Sequence, residues 1–502
     1  MVVGFFLCYN TRMDKKIFQS KVTTIYIVYT FTVFLWYTHY KYLDIMQAKR
    51  MAFLFGTAIY DTIMLICSIS AKFRQDEQHK NTVHWYKILS IMMITGWIFS
   101  TIGSLDRTEA LWGYGGKCTG LLVYLLGLIA AIYICEYLQW SPVITWGMLL
   151  SVVVICGLQV LNRWGIDPLE MYTNIMDDQK RLFISTIGQV NYNASLNCMI
   201  LGAIMGLYLL CEKRISQVVY GIALAFVYAG SICCCSDSAY LGILLVLLVH
   251  FVYVGAHPDK WRRFVQENVI LAGVIIALWF IWNCVDSVFV WDITLLLFDT
   301  RILWRLLLLL TFFLTISTFI LWLEKIKKIH IWRGYCIGIM IYAPVQLVLI
   351  VAKVMTEPEY WNTIATWMGY RVEIWKRCWR TFEVAPVWNK IWGYGFNNID
   401  KALAQIGGAE FGNSVIADAH NIVINTLVTS GIVGTILWIA MLSFMLVKAI
   451  RLIEKNKECL LVISGILGYC LQGMVNGPQI FTTPILLVGM GIWLNMIQQD
   501  EK

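Results

Sequence analysis

The feature that most constrains this chain is a succession of long apolar runs along most of its 502 residues. About fourteen runs reach roughly 17–25 residues, the length with which a helix crosses the hydrocarbon core of a bilayer. Hydrophobic residues make up 59% of the chain and charged residues 14%, against about 25% charged residues in soluble globular proteins. We therefore predict an all-α, polytopic integral membrane protein. The predicted transmembrane helices are 22–40, 51–70, 86–105, 118–138, 142–161, 193–211, 217–235, 238–255, 268–283, 302–323, 333–353, 419–447, 459–475 and 481–497.

The distribution of Lys and Arg predicts the orientation. Segments on the side of the N-terminus hold about 22 of these residues, and the short loops on the other side about 9. Lys and Arg accumulate on the cytoplasmic side, so we expect both termini in the cytoplasm and the protein in the cytoplasmic (inner or plasma) membrane. The chain then divides into membrane helices at 1–353, one large extracytoplasmic loop with short helices at 354–415, and membrane helices at 416–502. The net charge of +8 is spread between the runs, which argues against a nucleic-acid partner.

The run Asp418-Ala419-His420-Asn421 closes the large loop and offers a candidate general base. Only His39 and His420 face outward on this topology. We expect Asp418 to cap the helix that follows, which places His420 in its first turn. The positive end of the helix dipole keeps an imidazole neutral there, so the ring can accept a proton. A solvated loop histidine is the alternative interpretation.

A basic and aromatic stretch earlier in the loop offers a candidate anion site. One face of a predicted helix carries Arg371, Trp375, Trp379 and Phe382, and Lys376, Arg377 and Arg380 lie elsewhere around it. The forked guanidinium of arginine suits a phosphate or diphosphate. A helix of this kind also lies readily on a membrane surface, which is the alternative.

Taken in order, these elements resemble the O-antigen ligase and polymerase family of bacterial membrane proteins. The matching residues are Arg371…Trp375, Pro386…Gly393-Tyr394-Gly395, Ala419-His420-Asn421 and Gly431-Ile432-Val433-Gly434. The glycines of the second element indicate turns and close backbone approach. Two further stretches, 183–194 and Gly113…Lys117…Gly120, resemble the family more weakly.

One position departs from the family pattern. Many relatives have an arginine in a Ser-Arg-Ser/Gly run that is thought to hold the lipid diphosphate, whereas this chain has Ser236-Asp237-Ser238. Arg301, Arg181 and Arg163 are candidates to supply the missing charge.

The resemblance implies a GT-C-like membrane glycosyltransferase. Such an enzyme transfers or polymerises saccharide units from a polyprenyl (undecaprenyl) diphosphate carrier onto an acceptor sugar hydroxyl, at the outer face of the membrane, in capsule, exopolysaccharide or O-antigen assembly. It implies inversion at the anomeric carbon and His420 and Arg371 as catalytic residues, and no acidic cluster suggests a metal. The expected partners are the lipid-linked donor, an acceptor glycan or lipid, membrane lipid and other proteins of a polysaccharide assembly pathway, with no cofactor. The expected substrate-binding residues are Trp375, Arg377, Arg380, Gly393, Gly395, Asn421, Arg301 and Arg181.

Two other function classes remain open. A lipid-linked oligosaccharide flippase, or another polysaccharide transporter, suits the number of helices, but most of the non-cytoplasmic charge lies in loops rather than along helices. A non-catalytic assembly or sensor protein has no positive signal. The sequence does not choose between polymerase and ligase.

Overall fold

Thirteen of the fourteen predicted apolar runs each coincide with one helix, and the first run, 22–40, overlaps two. The computed structural model describes residues 12–72, 84–285, 300–327, 330–356, 371–411 and 414–499, and this part of the chain holds fourteen helices of at least 15 residues. In chain order they are α1 Arg12–Phe31, α2 Ile45–Lys72, α3 Trp85–Ile102, α4 Leu121–Tyr137, α5 Pro142–Arg163, α6 Val190–Leu210, α7 Arg214–Cys233, α8 Asp237–Ala256, α9 Trp261–Cys284, α10 Thr300–Lys327, α11 Trp332–Thr356, α12 Ile422–Leu452, α13 Cys459–Gly473 and α14 Thr483–Gln499.

The apolar helices make this a multi-pass membrane protein. Within the described residues, nine helices are long and apolar enough to cross a bilayer, and α4, α13 and α14 are apolar but shorter. The mostly helical, polytopic fold is thus confirmed. The number of fourteen crossings and the GT-C-like class stay predictions.

Helix α1 differs from the predicted span 22–40. It begins at Arg12 and ends at Phe31, and a separate one-turn helix follows at Val33–Trp36. Thr32 between them has non-helical backbone angles. The buried Nζ of Lys49 donates to the carbonyls of Phe34 and Leu35, so this side chain satisfies carbonyls at the end of the interrupted helix.

Helix α6 is the centre of the packing. Of the residues in the apolar part of helix α6, 78% are buried inside the protein, whereas only 6% are buried in the apolar part of α10, at the periphery. Helix α6 packs on α7 and α13, α4 packs on α2 and α14, and α12 packs on α3 and α13. A buried apolar core therefore joins the C-terminal helices to the N-terminal ones.

Short elements connect the long helices. The helical ones are Val33–Trp36, Arg107–Trp112, Asp177–Lys180, a 3₁₀ turn at Pro258–Lys260, Arg371–Val384, Val387–Trp392 and Ile399–Ala404. Two antiparallel two-residue hairpins are present, Phe183–Ile184 with Gly188–Gln189 and Glu410–Phe411 with Ser414–Val415. Side-chain contacts of the loops before α4, α6, α8 and α12 bring the N-terminal ends of these four helices to one face of the bundle.

Candidate active site

The turn that contains Tyr394 and Gly395 docks into a break in α12. At Gly431 the α12 backbone leaves helical geometry, with φ of 68° and ψ of −170°. Carbonyls next to such a break lose their intrahelical donors. The Tyr394 N–H donates to the Val428 carbonyl at 2.9 Å and the Gly395 N–H to the Thr429 carbonyl at 2.9 Å. The turn thus satisfies backbone groups that the break exposes.

Glycine is required on both sides of this contact. Gly393 has a φ of 85° and Gly431 a φ of 68°, where a side chain is strained. A Cβ on Gly393 would lie 2.3 Å from the Thr429 carbonyl, and one on Gly431 would lie 2.3 Å from the Ile391 carbonyl oxygen. Gly395 is buried in the same interface. Backbone packing explains these glycines, while substrate contact by Gly393 and Gly395 stays a prediction.

Asn421, and not Asp418, caps α12. The Asn421 Oδ1 accepts from the N–H groups of Val423 at 3.0 Å and Ile424 at 3.1 Å. Its Nδ2 donates to the Met474 carbonyl at 3.0 Å, which ties the cap to the end of α13. The prediction that Asp418 caps the helix is wrong, because Asn421 has the extended backbone of a cap and Asp418 is engaged elsewhere.

His420 lies immediately before the cap, outside the first turn. Its φ of 47° is in the left-handed region, which histidine visits more often than most residues. The His420 N–H donates to the Asp418 Oδ1 at 2.8 Å, and the His420 Nδ1 lies 3.4 Å from the same oxygen. The side chain is 34% exposed, so the ring can meet a ligand from one side.

Asp418 forms a buried ion pair with a distant lysine. Its carboxylate is 5% exposed, and its Oδ2 lies 3.3 Å from the Nζ of Lys117. The Lys117 Nζ also donates to the Tyr192 hydroxyl at 2.7 Å. The Lys117 N–H donates to the Asn397 Oδ1 at 3.2 Å, and its carbonyl accepts from the Ile480 N–H at 3.2 Å. Several loops of the same face therefore converge on this lysine.

Arg371 lies within electrostatic range of the same cluster. It is the first residue of the predicted helix, which the structure confirms as Arg371–Val384. The carboxylates of Asp237 and Asp418 act electrostatically on its guanidinium, and its charge acts on His420. Arg371 therefore faces the residue that departs from the family pattern.

The protonation states follow from burial and from these neighbours. Burial lowers the pKa of His420, the cations Lys117 and Arg371 lower it further, and Asp418 only partly opposes them. Burial raises the pKa of Asp418, but Lys117 and His420 outweigh burial, so this pKa lies below its usual value. Burial lowers the pKa of Lys117, but Asp418 and Tyr192 outweigh it and the pKa is raised. At neutral pH the imidazole is neutral and the ion pair is charged.

The other predicted substrate-binding residues of the helix Arg371–Val384 differ from one another in burial and in their partners. Trp375 is half-buried, and its indole N–H has no hydrogen-bond partner among the described residues. The Arg377 Nε lies 3.1 Å from Glu373, within the helix. Arg380 is 67% exposed and lies 3.4 Å from Glu383. Of these three, Trp375 is the one with an unused polar group.

Two of the candidates for the missing family arginine, Arg163 and Arg181, are neighbours in the structure. The guanidinium of Arg163 donates to the carbonyls of Cys233 at 2.6 Å and Arg181 at 3.3 Å, and its side chain is buried. Arg163 thus holds backbone at the C-terminal end of α7. Arg181 lies after the short helix Asp177–Lys180, and the side chain of Arg301 lies outside the described residues.

Sequence reasoning missed Lys117 and Tyr192 as site residues. Both lie in stretches that resemble the family weakly, Lys117 between Gly113 and Gly120 and Tyr192 in the 183–194 segment. That weak resemblance was the signal that pointed to these loops. It did not indicate that they meet at Asp418.

A small polar cavity lies behind the ion pair. Lys117, Asn397, Asp418 and Asn425 are among its walls, and about 10 Å³ is open to the centre of a water-sized sphere. This volume accommodates about one water molecule. In the described part of the chain, no group of three or more His, Cys, Asp or Glu is arranged to hold a metal ion.

Part of this site lies in a segment that is similar to a known family. Residues 287–439 match the family model described as O-antigen ligase, which confirms the resemblance deduced from the motifs. The matched segment contains the helix with Arg371, the glycine turn, His420 and the break in α12. It does not include Lys117, Tyr192 or Asp237. A search of curated proteins finds no match.

Proposed function

We propose that the chain transfers or polymerises saccharide units from a polyprenyl diphosphate carrier onto an acceptor sugar hydroxyl, a function that the match of residues 287–439 to the O-antigen ligase family model supports. The observation that supports this most is the convergence of His420 and Arg371 at the start of α12. A base and a cation are the two groups that such a transfer requires. The acceptor oxygen forms a bond to the anomeric carbon, and the bond from that carbon to the diphosphate breaks.

In this proposal His420 takes the proton of the attacking hydroxyl. Its low pKa keeps the imidazole neutral and able to accept a proton at neutral pH. Its half-open position lets an acceptor reach the ring. General-base assistance of this kind contributes about 10²–10⁴-fold to a rate.

Arg371 would bind the leaving diphosphate. As the bond to the sugar breaks, negative charge grows on the phosphate oxygens, and a guanidinium stabilises it through two parallel hydrogen bonds. In this way the protein's own cation supplies the stabilisation without a metal. Attack from the side opposite the diphosphate inverts the anomeric carbon.

The proposal places the site at the outer face of the cytoplasmic membrane. The Lys and Arg asymmetry supports this orientation. Reporter fusions at Gln405 and at Lys457 should report opposite sides, with Lys457 in the cytoplasm. Fusions that report the same side would contradict the topology and the proposed location of the site.

The test of function is His420→Ala, with His39→Ala as the matched control. His39 is the other histidine on the proposed outer face and is paired with Asp44. Membranes from the native host supply the lipid-linked saccharide. His420→Ala should abolish transfer and cause unpolymerised or unligated lipid-linked units to accumulate, whereas His39→Ala should transfer normally.

Two outcomes would contradict the proposal. If purified His420→Ala transferred saccharide at the wild-type rate, His420 would not be the base. Movement of the lipid across vesicles by the wild-type protein, without a new glycosidic bond, would instead support a flippase.

A further inference from the structure

The buried pair of Asp418 and Lys117 has a geometry that serves His420. The two carboxylate oxygens of Asp418 make different contacts. Oδ2 lies 3.3 Å from the Lys117 Nζ. Oδ1 accepts the His420 N–H at 2.8 Å and lies 3.4 Å from its Nδ1. One carboxylate therefore connects a fixed lysine to both the backbone and the ring of the histidine.

The attachment of Lys117 is rigid. Its ammonium bonds the Tyr192 hydroxyl at 2.7 Å and lies 5.1 Å from the centre of that ring. Its backbone bonds Asn397 and Ile480. Asp418 is also enclosed by the loop before α14, since a Cβ on Gly477 would lie 3.1 Å from the Asp418 Cγ. The carboxylate thus has little freedom to move.

We propose that Asp418, held in place by Lys117, is the positioning residue for His420. This inference rests on the proposed function for the role of His420 as base, but the positioning itself does not depend on which substrate is used. The left-handed backbone of His420 is consistent with it, because the Asp418 carboxylate stabilises that conformation through the His420 N–H.

The chemical consequence concerns which ring nitrogen reacts. The Asp418 Oδ1 lies 3.4 Å from Nδ1 as a charge contact, and its negative charge favours a proton on Nδ1, which leaves Nε2 to accept one. The acceptor hydroxyl gives its proton to Nε2 while its oxygen bonds the anomeric carbon and the diphosphate leaves with the electron pair. Asp418 stays ionised and stabilises the imidazolium that forms.

The charged groups facing His420 come from three elements. Asp418 lies on its own loop, Lys117 on the loop before α4, and Arg371 on the short helix, with Asp237 of α8 beyond Arg371. Asp418 is the one anion that acts directly on the imidazole, and it favours the protonated ring. Loss of this carboxylate should therefore make His420 harder to protonate.

The experiment measures His420 without any substrate. Purified protein in detergent is treated with diethyl pyrocarbonate, which modifies neutral imidazole, across a range of pH, and mass spectrometry quantifies the His420 peptide. D418N should move the pH midpoint of His420 modification downward by about one unit, which is tenfold in the protonation equilibrium. D44N is the matched control, because Asp44 contacts His39 and not His420, and it should leave the His420 midpoint unchanged.

The double variant D418N/K117M keeps the test informative if D418N alone does not fold. D418N leaves Lys117 buried without its carboxylate, and an unpaired buried charge destabilises a protein. D418N/K117M removes both charges and should still shift the His420 midpoint downward, but by less, since Lys117 opposes protonation of the ring. In transfer assays K117M added to D418N should cause less than a twofold further loss, because Lys117 acts through Asp418.

An unchanged His420 midpoint in folded D418N or in the double variant would overturn the positioning role. An independent, multiplied loss in the double variant would overturn the link through Lys117. If the midpoint shifts as expected while His420→Ala still transfers saccharide, the positioning stands and the proposed function fails.

Discussion

Two regions at the start of α12 differ in composition and in what they do. The first, where the glycine turn meets the break at Gly431, is held by contacts between backbone atoms. The second, around Asp418 and His420, is a set of charged groups drawn from distant parts of the chain. The first fixes the path of the loop over the bundle, and in our proposal the second supplies the chemistry. A family motif thus combines residues with separate physical roles.

Substitution at the break should have the largest effect. Gly431→Ala places a Cβ 2.3 Å from the Ile391 carbonyl oxygen at a backbone conformation that L side chains rarely adopt. We expect a loss of about 3 kcal/mol or more of unfolding free energy, and little folded protein. Thermal unfolding in detergent and the yield of monodisperse protein measure this.

The matched control is Gly273→Ala in α9. A Cβ at Gly273 meets nothing within 4 Å. Its stability should be unchanged or higher by up to about 1 kcal/mol, since alanine favours a helix over glycine. Equal behaviour of the two variants would show that the break does not need glycine.

Arg371 should show the opposite pattern, with activity lost and the fold kept. Arg371→Ala removes the proposed diphosphate ligand and should lower transfer by about 10²–10³-fold. Arg371→Lys should restore only part of it, because lysine keeps the charge but loses the forked geometry. Transfer from the lipid-linked donor is measured beside thermal unfolding, and full activity of Arg371→Ala would indicate a helix that only rests on the membrane.

The two regions also differ in their expected response to pH. Since His420 must be neutral to act as base and its pKa is lowered, the transfer rate should fall on acidification with a midpoint below the usual 6.5. Stability should decline only slightly through that range. The lowered pKa of His420 costs some stability, because below pH 6.5 the unfolded chain takes up a proton that the folded chain does not, but the lowered pKa of Asp418 keeps its carboxylate ionised and the ion pair intact. The rate profile and the thermal midpoint are measured over the same pH values. A parallel fall of both would assign the loss of activity to unfolding.

The contrast also explains what the sequence could predict. Helix positions followed from run length, because a membrane span needs an apolar stretch of fixed length. His420 and Arg371 followed from an ordered set of motifs within one stretch of chain. The capping residue of α12 could not be predicted from the sequence, since Asp418 and Asn421 are both good capping residues and only the backbone angles decide between them. The role of Lys117 could not be predicted either, because its contact with Asp418 joins distant parts of the chain and leaves no periodic pattern in the sequence.

The smallest effect is expected at Arg380, where the predicted substrate contact competes with a surface role. Its side chain is 67% exposed and its partner Glu383 lies on the same helix. Exposed pairs of this kind contribute about 0–1 kcal/mol, so Arg380→Ala should change transfer less than twofold.

Arg377→Ala should lower the transfer rate more, about severalfold. Arg377 is half-buried and also donates to the Gly408 carbonyl at 3.4 Å, which links the helix to the loop ahead of His420. The KM for the lipid-linked donor and kcat are measured for both. A tenfold rise in KM for Arg380→Ala would instead show that the donor site extends along the exposed face of the helix. Arg380 would then belong with Asp418 and His420 among the residues that act on substrate.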